Sequence, residues 1–163
     1  MRDRIETKWS RRTVVRSLIC GAATAQLLIP RHSAARDLQI EVWKDPSCGC
    51  CDDWIAYLEA NGFRVTSYNE GAIEAMDRLG MPTRYGSCHT ASIEGYAVEG
   101  HVPVREILRL IQERPDAVGI SVPGMPRGSP GMDGPMYGNV EDPYDVLLIG
   151  RDGKATVFQS YRK

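Results

Sequence analysis

The sequence predicts an α/β domain, and three observations lead to that expectation. Leu38, Ile40 and Val42 are spaced two residues apart, the period of a strand with one buried face. A Cys-x-x-Cys pair, Cys48 and Cys51, follows where the first helix is expected to start. Strand and helix patterns then alternate along the chain, which is typical of α/β proteins.

The elements are predicted in order from their patterns and from the residues that interrupt them. Asp45-Pro46-Ser47 ends the first strand, and a helix containing Asp52 to Leu58 closes at Asn61-Gly62. The remaining elements are a strand over 63–68, a helix with Ile73, Met76 and Leu79 on one face, a hairpin of strands 90–93 and 96–99, a helix that opens at Pro103 with Ile107, Leu108 and Ile111 inward, and a last hairpin of strands 146–149 and 155–161.

This order of elements, with Cys48 and Cys51 at the first strand–helix junction, predicts a thioredoxin-like fold. Backbone amides at a helix N-terminus stabilise thiolates at such a junction. In that fold the loop leading into the third strand faces the Cys-x-x-Cys pair, and here that loop carries Cys88 and His89. Because side chains alternate across a strand, we expect His89 to point away from Cys88.

A long segment from Gly119 to Gly138 is expected to be a loop rich in Gly, Pro and Met. Structureless loops longer than about 12–15 residues are usually functional or disordered. Met125, Met132 and Met136 contribute thioethers, which are good ligands for Cu(I) and poor ones for zinc. The alternative is that one or two of these methionines only anchor the loop to the domain.

The N-terminal region, residues 1–35, has the features of a twin-arginine export signal. Arg11 and Arg12 precede an apolar stretch over 14–29, which is too short to span a bilayer comfortably, and small residues follow at 33–35. The alternative is an amphipathic helix of the folded domain. The sequence therefore predicts export to the periplasm.

The predicted mature domain comprises residues 36–163 and carries no stable membrane anchor. A lipid anchor at Cys20 is disfavoured, because Leu18 and Ile19 precede it where small residues are needed. Removal of the leader leaves 13 basic and 19 acidic residues, a net charge of −6. A domain of this charge repels phosphate backbones, which argues against nucleic acid as a partner.

Four cysteines of this domain fall in two groups, Cys48-Gly49-Cys50-Cys51 and Cys88. Adjacent cysteines rarely meet disulfide geometry, so this run cannot pair all its thiols locally without strain. Thiols at this density are better explained by a soft metal, Cu(I) or Zn(II), or by redox exchange.

Several motifs across the mature chain together resemble the CopG family, small periplasmic metal-binding proteins of bacterial copper-resistance clusters. The motifs are Asp45-Pro46-Ser47-Cys48-Gly49-Cys50-Cys51 with Trp54, Ser87-Cys88-His89-Thr90-Ala91, Glu99-Gly100-His101-Val102-Pro103, Val122-Pro123-Gly124-Met125-Pro126 and Gly128-Ser129-Pro130-Gly131-Met132.

The resemblance implies a thioredoxin-like fold, a multinuclear copper cluster bound by cysteine thiolates, and a role in copper tolerance. Carried over to this chain, it implies ligands at Cys48, Cys51 and Cys88, followed by Cys50. His101, Met125 and Met132 are the candidates that complete the coordination. Partners would be copper ions and other periplasmic copper-handling proteins.

Two other functions remain open at this point. A thiol–disulfide oxidoreductase would use Cys48 as nucleophile and Cys51 as the resolving thiol, although Cys50 and Cys88 would scramble its disulfide. A structural zinc site of the Cys₃His type leaves the methionine-rich loop unexplained. An extension of the copper hypothesis is that the site cycles between Cu(I) and Cu(II), which would make the protein a copper oxidoreductase.

Overall fold

The structure is a computed structural model that describes residues 38–162, so the predicted leader lies outside the described residues. Seven strands and three helices follow one another in it. They are β1 (Leu38–Lys44), α1 (Gly49–Ala60), β2 (Phe63–Tyr68), α2 (Ala72–Arg78), β3 (His89–Ile93), β4 (Tyr96–Glu99), α3 (Val104–Glu113), β5 (Ala117–Ser121), β6 (Tyr144–Gly150) and β7 (Ala155–Tyr161).

All seven strands form one mixed sheet in the order β2-β1-β3-β4-β5-β6-β7. β1 pairs in parallel with β2, β4 in parallel with β5, and the remaining pairs are antiparallel. The predicted α/β class and the C-terminal hairpin of β6 and β7 are confirmed. The order of elements is consistent with a thioredoxin-like fold.

α1 and α3 bury one face each, as their apolar spacing predicts, whereas in α2 Met76 is buried but Ile73, which was predicted on the same face, is 71% exposed. α1 buries Cys51, Trp54 and Leu58, which recur at intervals of three and four residues. In α3, Ile107 is buried as expected but Leu108 is 39% exposed. Its predicted inward orientation is wrong, because Leu110 instead shares the buried face with Ile107 and Ile111, which is buried as predicted.

The sequence analysis did not predict β5, because a glycine such as Gly119 usually indicates a turn or loop. In the sheet, Gly119 pairs with Ala97 of β4, and a Cβ at this position would lie 1.8 Å from the Ala97 carbonyl oxygen. The glycine is therefore required by the close approach of two strands. The long loop begins after Ser121 and not at Gly119.

The sheet brings three chain segments together at one edge. Lys44 at the end of β1 pairs with His89 at the start of β3, and Thr90 pairs with Glu99 at the end of β4. The β1–α1 turn, the loop before β3 and the β4–α3 turn consequently meet above this edge.

Within residues 38–162, no helix has the length and apolar character needed to cross a membrane.

Candidate metal centre

The first turn of α1 supplies three of the four thiol groups. Cys48 is the N-cap residue in extended conformation, and α1 begins at Gly49. Helical spacing turns Cys51 toward the core beside Trp54, where it is fully buried, whereas Cys48 and Cys50 remain half-buried. The cysteine run thus presents sulfur atoms on both the inner and outer sides of the helix start.

Cys48 and Cys51 are joined by a disulfide, and Cys50 and Cys88 are free. The Cys50 Sγ lies 3.6 Å from the Cys48 Sγ and 3.8 Å from the Cys88 Sγ. The sulfur atoms of all four cysteines lie within 4.8 Å of one another. A metal could be held by all four only after two electrons have reduced the Cys48–Cys51 bridge, because the thiolate is the ligand.

A second group of ligand atoms shares the Cys88 thiol. The Cys88 Sγ lies 3.1 Å from Nε2 of His101 and 3.4 Å from Nδ1 of His89. Nδ1 of His101 donates a hydrogen bond of 2.9 Å to the Pro130 carbonyl oxygen, so Nε2 is the unprotonated nitrogen that faces the thiol. The predicted ligand His101 is therefore adjacent to Cys88 although 12 residues separate the two.

The position of His89 differs from the expectation. The prediction that His89 points away from Cys88 is wrong, because β3 begins at His89 and Cys88 lies in the preceding loop, outside the alternation of the strand. The ring of His89 is buried, with its centroid 4.3 Å from that of Trp54. Among the buried side-chain nitrogen and oxygen atoms of residues 38–162, Nε2 of His89 is the one without a hydrogen-bond partner.

Burial keeps these ligand groups neutral in the absence of metal. Burial, and next the adjacent His101, lower the pKa of His89 to about 3. Burial also lowers the pKa of His101, opposed by its hydrogen bond to Pro130. For Cys88, burial and the nearby Cys50 raise the pKa to about 12. The two imidazoles offer lone pairs at neutral pH, whereas the Cys88 thiol must lose a proton to bind a metal.

A buried carboxyl group supports the loop that carries Cys88. Glu99, only 1% exposed, accepts a 2.7 Å hydrogen bond from the backbone N–H of Ser87 and lies 2.7 Å from the Thr90 hydroxyl oxygen. That hydroxyl also lies 3.0 Å from the Ala72 carbonyl oxygen. One hydroxyl hydrogen cannot serve both acceptors, so a protonated Glu99 that donates to Thr90 satisfies the whole arrangement.

The long loop packs against the start of α1. A Cβ at Gly131, which has φ +80°, would lie 2.7 Å from the Trp54 amide nitrogen and 2.8 Å from the Cys50 carbonyl oxygen. The neighbouring Met132 is 8% exposed, whereas Met125 is 53% exposed. The loop therefore reaches the site through the Pro130 carbonyl and the Gly131 backbone, a contribution that side-chain chemistry alone does not reveal.

Solvent reaches the Cys88 side of the site through a cleft. The cleft has a volume of about 350 Å³, and its lining includes Ser87, Cys88 and three acidic residues, Asp45, Glu70 and Glu74. The lining also includes Lys44, whose ammonium group is paired with Asp52 at 2.9 Å. Carboxylates around an opening raise the local concentration of cations. The site is therefore accessible to a small cation.

Matches to this chain occur among family models and among solved structures. Residues 85–132 match the family described as "Protein of unknown function, DUF411". No curated protein matches the chain. Two solved structures are similar to it: "Copper resistance protein copG- Form 2", at 50% identity with a TM-score of 0.71 over 77% of this chain and 99% of that one, and "Copper resistance protein copG- Form 1", at 51% identity with a TM-score of 0.71 over 78% and 99%.

Identity at this level over almost the whole of both solved chains extends well beyond the cysteine motifs. The cluster of cysteine and histidine ligand atoms indicates metal binding. By sequence identity, coverage and fold together, the chain belongs to the copper resistance protein CopG family.

Proposed function

We propose that this protein binds Cu(I) through the thiolates of Cys48, Cys50, Cys51 and Cys88 and thereby sequesters copper for copper resistance. The observation that carries the proposal is the convergence of four sulfur atoms within 4.8 Å, from two segments that lie 37 residues apart at Cys51 and Cys88. Soft thiolates favour Cu(I), and several bridging sulfurs suit more than one copper ion.

Nitrogen and thioether ligands would complete the coordination. Nε2 of His101 already faces Cys88, and neutral imidazole suits copper in both oxidation states. Met132 on the packed loop, and Met125 in its exposed part, are the proposed thioether ligands. The mixture of sulfur and nitrogen donors would allow cycling between Cu(I) and Cu(II), which is the basis for a copper oxidoreductase activity.

The proposed location is the periplasm, reached through the twin-arginine route directed by residues 1–35. That route carries folded proteins, so the thiols would be ordered before they meet an oxidising compartment. Other copper-handling proteins of the same compartment are the proposed partners. A net charge of −6 on the mature domain suits a cation as cargo.

X-ray absorption of the reduced, copper-loaded protein tests the proposal. The copper edge should report Cu(I), with sulfur as the main neighbour, a nitrogen contribution and a copper–copper distance. Oxygen-dominated coordination would contradict it. The analogous spectrum of the His101→Gln variant should lose nitrogen neighbours and keep the sulfur shell.

A thiol–disulfide oxidoreductase is the second candidate, favoured by one observation, the Cys48–Cys51 disulfide at the start of α1. Reduction of insulin by a dithiol regenerated with an external reductant distinguishes the two. Brisk turnover that does not depend on Cys88, together with weak copper binding, would favour this candidate.

A further inference from the structure

The sulfur atoms of the site form a row: the Cys48–Cys51 disulfide is next to the free thiol of Cys50, which is next to the free thiol of Cys88. The Cys50 Sγ is 3.6 Å from the bridged Cys48 Sγ, and the Cys88 Sγ is 3.8 Å from the Cys50 Sγ. Exchange between a thiol and a disulfide proceeds by attack of one sulfur on another through a mixed disulfide. Both pairs of sulfur atoms are near van der Waals contact, so each attack requires a movement of less than about 2 Å toward the bond length of a disulfide.

We propose that the disulfide transfers within the site, from Cys48–Cys51 to Cys50–Cys88, by two successive exchanges. In the first, the Cys50 sulfur bonds to the Cys48 sulfur and the Cys48–Cys51 bond breaks, which releases the Cys51 thiol. In the second, the Cys88 sulfur bonds to the Cys50 sulfur and the Cys48–Cys50 bond breaks, which releases the Cys48 thiol.

Atoms and electrons balance within the protein. In each exchange, the proton lost by the attacking thiol is taken up by the thiolate that leaves, and the total of one disulfide and two thiols is unchanged. No external oxidant or reductant takes part. The proposal does not rest on copper binding, because it concerns the sulfur atoms of the metal-free protein alone.

Contacts at both ends of the row accommodate the two arrangements. The Cys51 Sγ lies 3.6 Å from the Cys88 carbonyl oxygen, which can accept a hydrogen bond from the Cys51 thiol once it is released. At the other end, Nε2 of His101 holds the Cys88 sulfur at 3.1 Å, and the Ser87 hydroxyl oxygen lies 3.8 Å from that sulfur. Cys51 is fully buried, so its thiol is protected when the disulfide has moved.

The transfer gives the extra cysteines a role that a simple dithiol enzyme lacks. When the bridge lies at Cys50–Cys88, the Cys48 and Cys51 pair is free, and the half-exposed Cys48 is its accessible member. An external dithiol that reduces the bridge in either position would complete the set of four thiols. One two-electron reduction therefore prepares the whole site, whichever pair was oxidised.

The test maps the disulfide in metal-free protein that holds one bridge per chain. We would use the full chain with Cys20→Ser, equilibrate it with a chelator, label free thiols with light N-ethylmaleimide, then reduce and label the released thiols with the heavy reagent. Fragment-ion sequencing then assigns the label at each cysteine. The expected result is two populations, one with heavy label at Cys48 and Cys51, the other at Cys50 and Cys88.

A variant isolates the second arrangement. Cys51→Ser removes the original bridge, and its hydroxyl can still donate to the Cys88 carbonyl oxygen. Oxidised by a small disulfide such as oxidised glutathione, this variant should form Cys50–Cys88 and leave Cys48 light. In the matched control, Cys51→Ser with Cys88→Ser, position 88 cannot form a disulfide. Any heavy label at Cys50 in this control therefore reports a bridge other than Cys50–Cys88.

Heavy label confined to Cys48 and Cys51 in the equilibrated chain with Cys20→Ser overturns the proposal, whatever the variants do. So does a folded Cys51→Ser protein, judged by circular dichroism, that forms no Cys50–Cys88 bridge. Because copper is absent throughout, neither of these results contradicts the copper-binding proposal. A failure to bind copper would likewise not contradict the proposed disulfide transfer.

Discussion

The Cys88 thiol donates to Nε2 of His101 across 3.1 Å, and the opposite nitrogen of the same ring donates to the Pro130 carbonyl oxygen. The loop thus selects the tautomer of His101, because its carbonyl oxygen can only accept. This relationship joins three segments, the loop before β3, the β4–α3 turn and the long loop, in one arrangement. A metal that replaces the thiol proton would find the imidazole lone pair already oriented.

Cys88→Ser tests whether the two segments act as one copper site. The substitution keeps nearly the same volume and removes the soft ligand, so we expect copper stoichiometry to fall about as far as in Cys51→Ser. Copper per chain after anaerobic loading and desalting is the measurement. Cys20→Ser, outside the described residues, serves as the matched control and should keep full stoichiometry. An undiminished copper content per chain in Cys88→Ser would mean that the loop before β3 contributes no ligand.

Gly131→Ala tests the packing of the long loop on α1. A Cβ there meets the Trp54 amide nitrogen at 2.7 Å, whereas Gly124, with a similar φ of +70°, has no atom within 4 Å of its added Cβ. Both substitutions place alanine in a left-handed conformation, but only the first forces the loop off the helix. We expect Gly131→Ala to lower the free energy of unfolding by about 1–3 kcal/mol more than Gly124→Ala.

The same displacement should move the Pro130 carbonyl away from His101 and weaken Cu(I) binding about tenfold. Urea unfolding and competition with a Cu(I) chelator measure the two effects. Equal behaviour of the two alanine variants would show that the loop is not needed at the site.

Glu99→Gln tests the buried carboxyl that supports Ser87 and Thr90. Burial raises the pKa of Glu99 from 4.5 to about 7, so the folded protein holds a proton there that the unfolded chain has lost. Stability from this group is therefore present below pH 4.5 and is lost as pH rises toward 7, by at most about 3 kcal/mol. A glutamine amide donates to Thr90 as the protonated acid does, without titrating.

We expect the free energy of unfolding of the unsubstituted chain to fall relative to Glu99→Gln between pH 4.5 and 7, and to run parallel to it above pH 7. Urea unfolding of the metal-free proteins at several pH values is the measurement. Glu59→Gln, at an exposed position of α1, is the control and should follow the unsubstituted chain. Parallel curves for Glu99→Gln over the whole range would contradict a protonated Glu99.

Replacement of Arg11 and Arg12 by lysine tests the export route. Two ammonium groups cannot reproduce the planar guanidinium pair that a twin-arginine receptor recognises, so the protein should accumulate inside the cell. Immunoblotting of periplasmic and cytoplasmic fractions reads the outcome, with Arg16→Lys as the control that keeps the pair. Normal periplasmic accumulation of the double variant would indicate another route.

The sequence predicted the α/β class and the positions of most elements because these depend on local patterns. Strand alternation identified β1. The break at Asp45-Pro46-Ser47 indicated that the first helix would start after it. His101 could be named as a candidate from the motif around it. The contact between His101 and Cys88 depends on the pairing of β3 with β4, which no local pattern specifies.

Several of the features that were missed depend on contacts between distant segments. Gly119 lies in a strand because β4 approaches it closely, and His89 turns toward the thiol because β3 begins one residue after Cys88. The roles of Glu99 and of the Pro130 carbonyl rest on hydrogen bonds to residues 12 and 29 positions away. A buried acidic residue in a strand and a backbone oxygen in a loop have no distinctive sequence signal.

Anaerobic titration of the fully reduced protein with Cu(I), in the presence of a chelator of moderate affinity, tests the central claim most directly. Four clustered thiols and the adjoining His101 predict that each chain retains more than one Cu(I) against the chelator and that excess zinc does not displace it. Retention of at most one copper ion per chain, or a preference for zinc, would contradict the proposed thiolate-bound copper cluster.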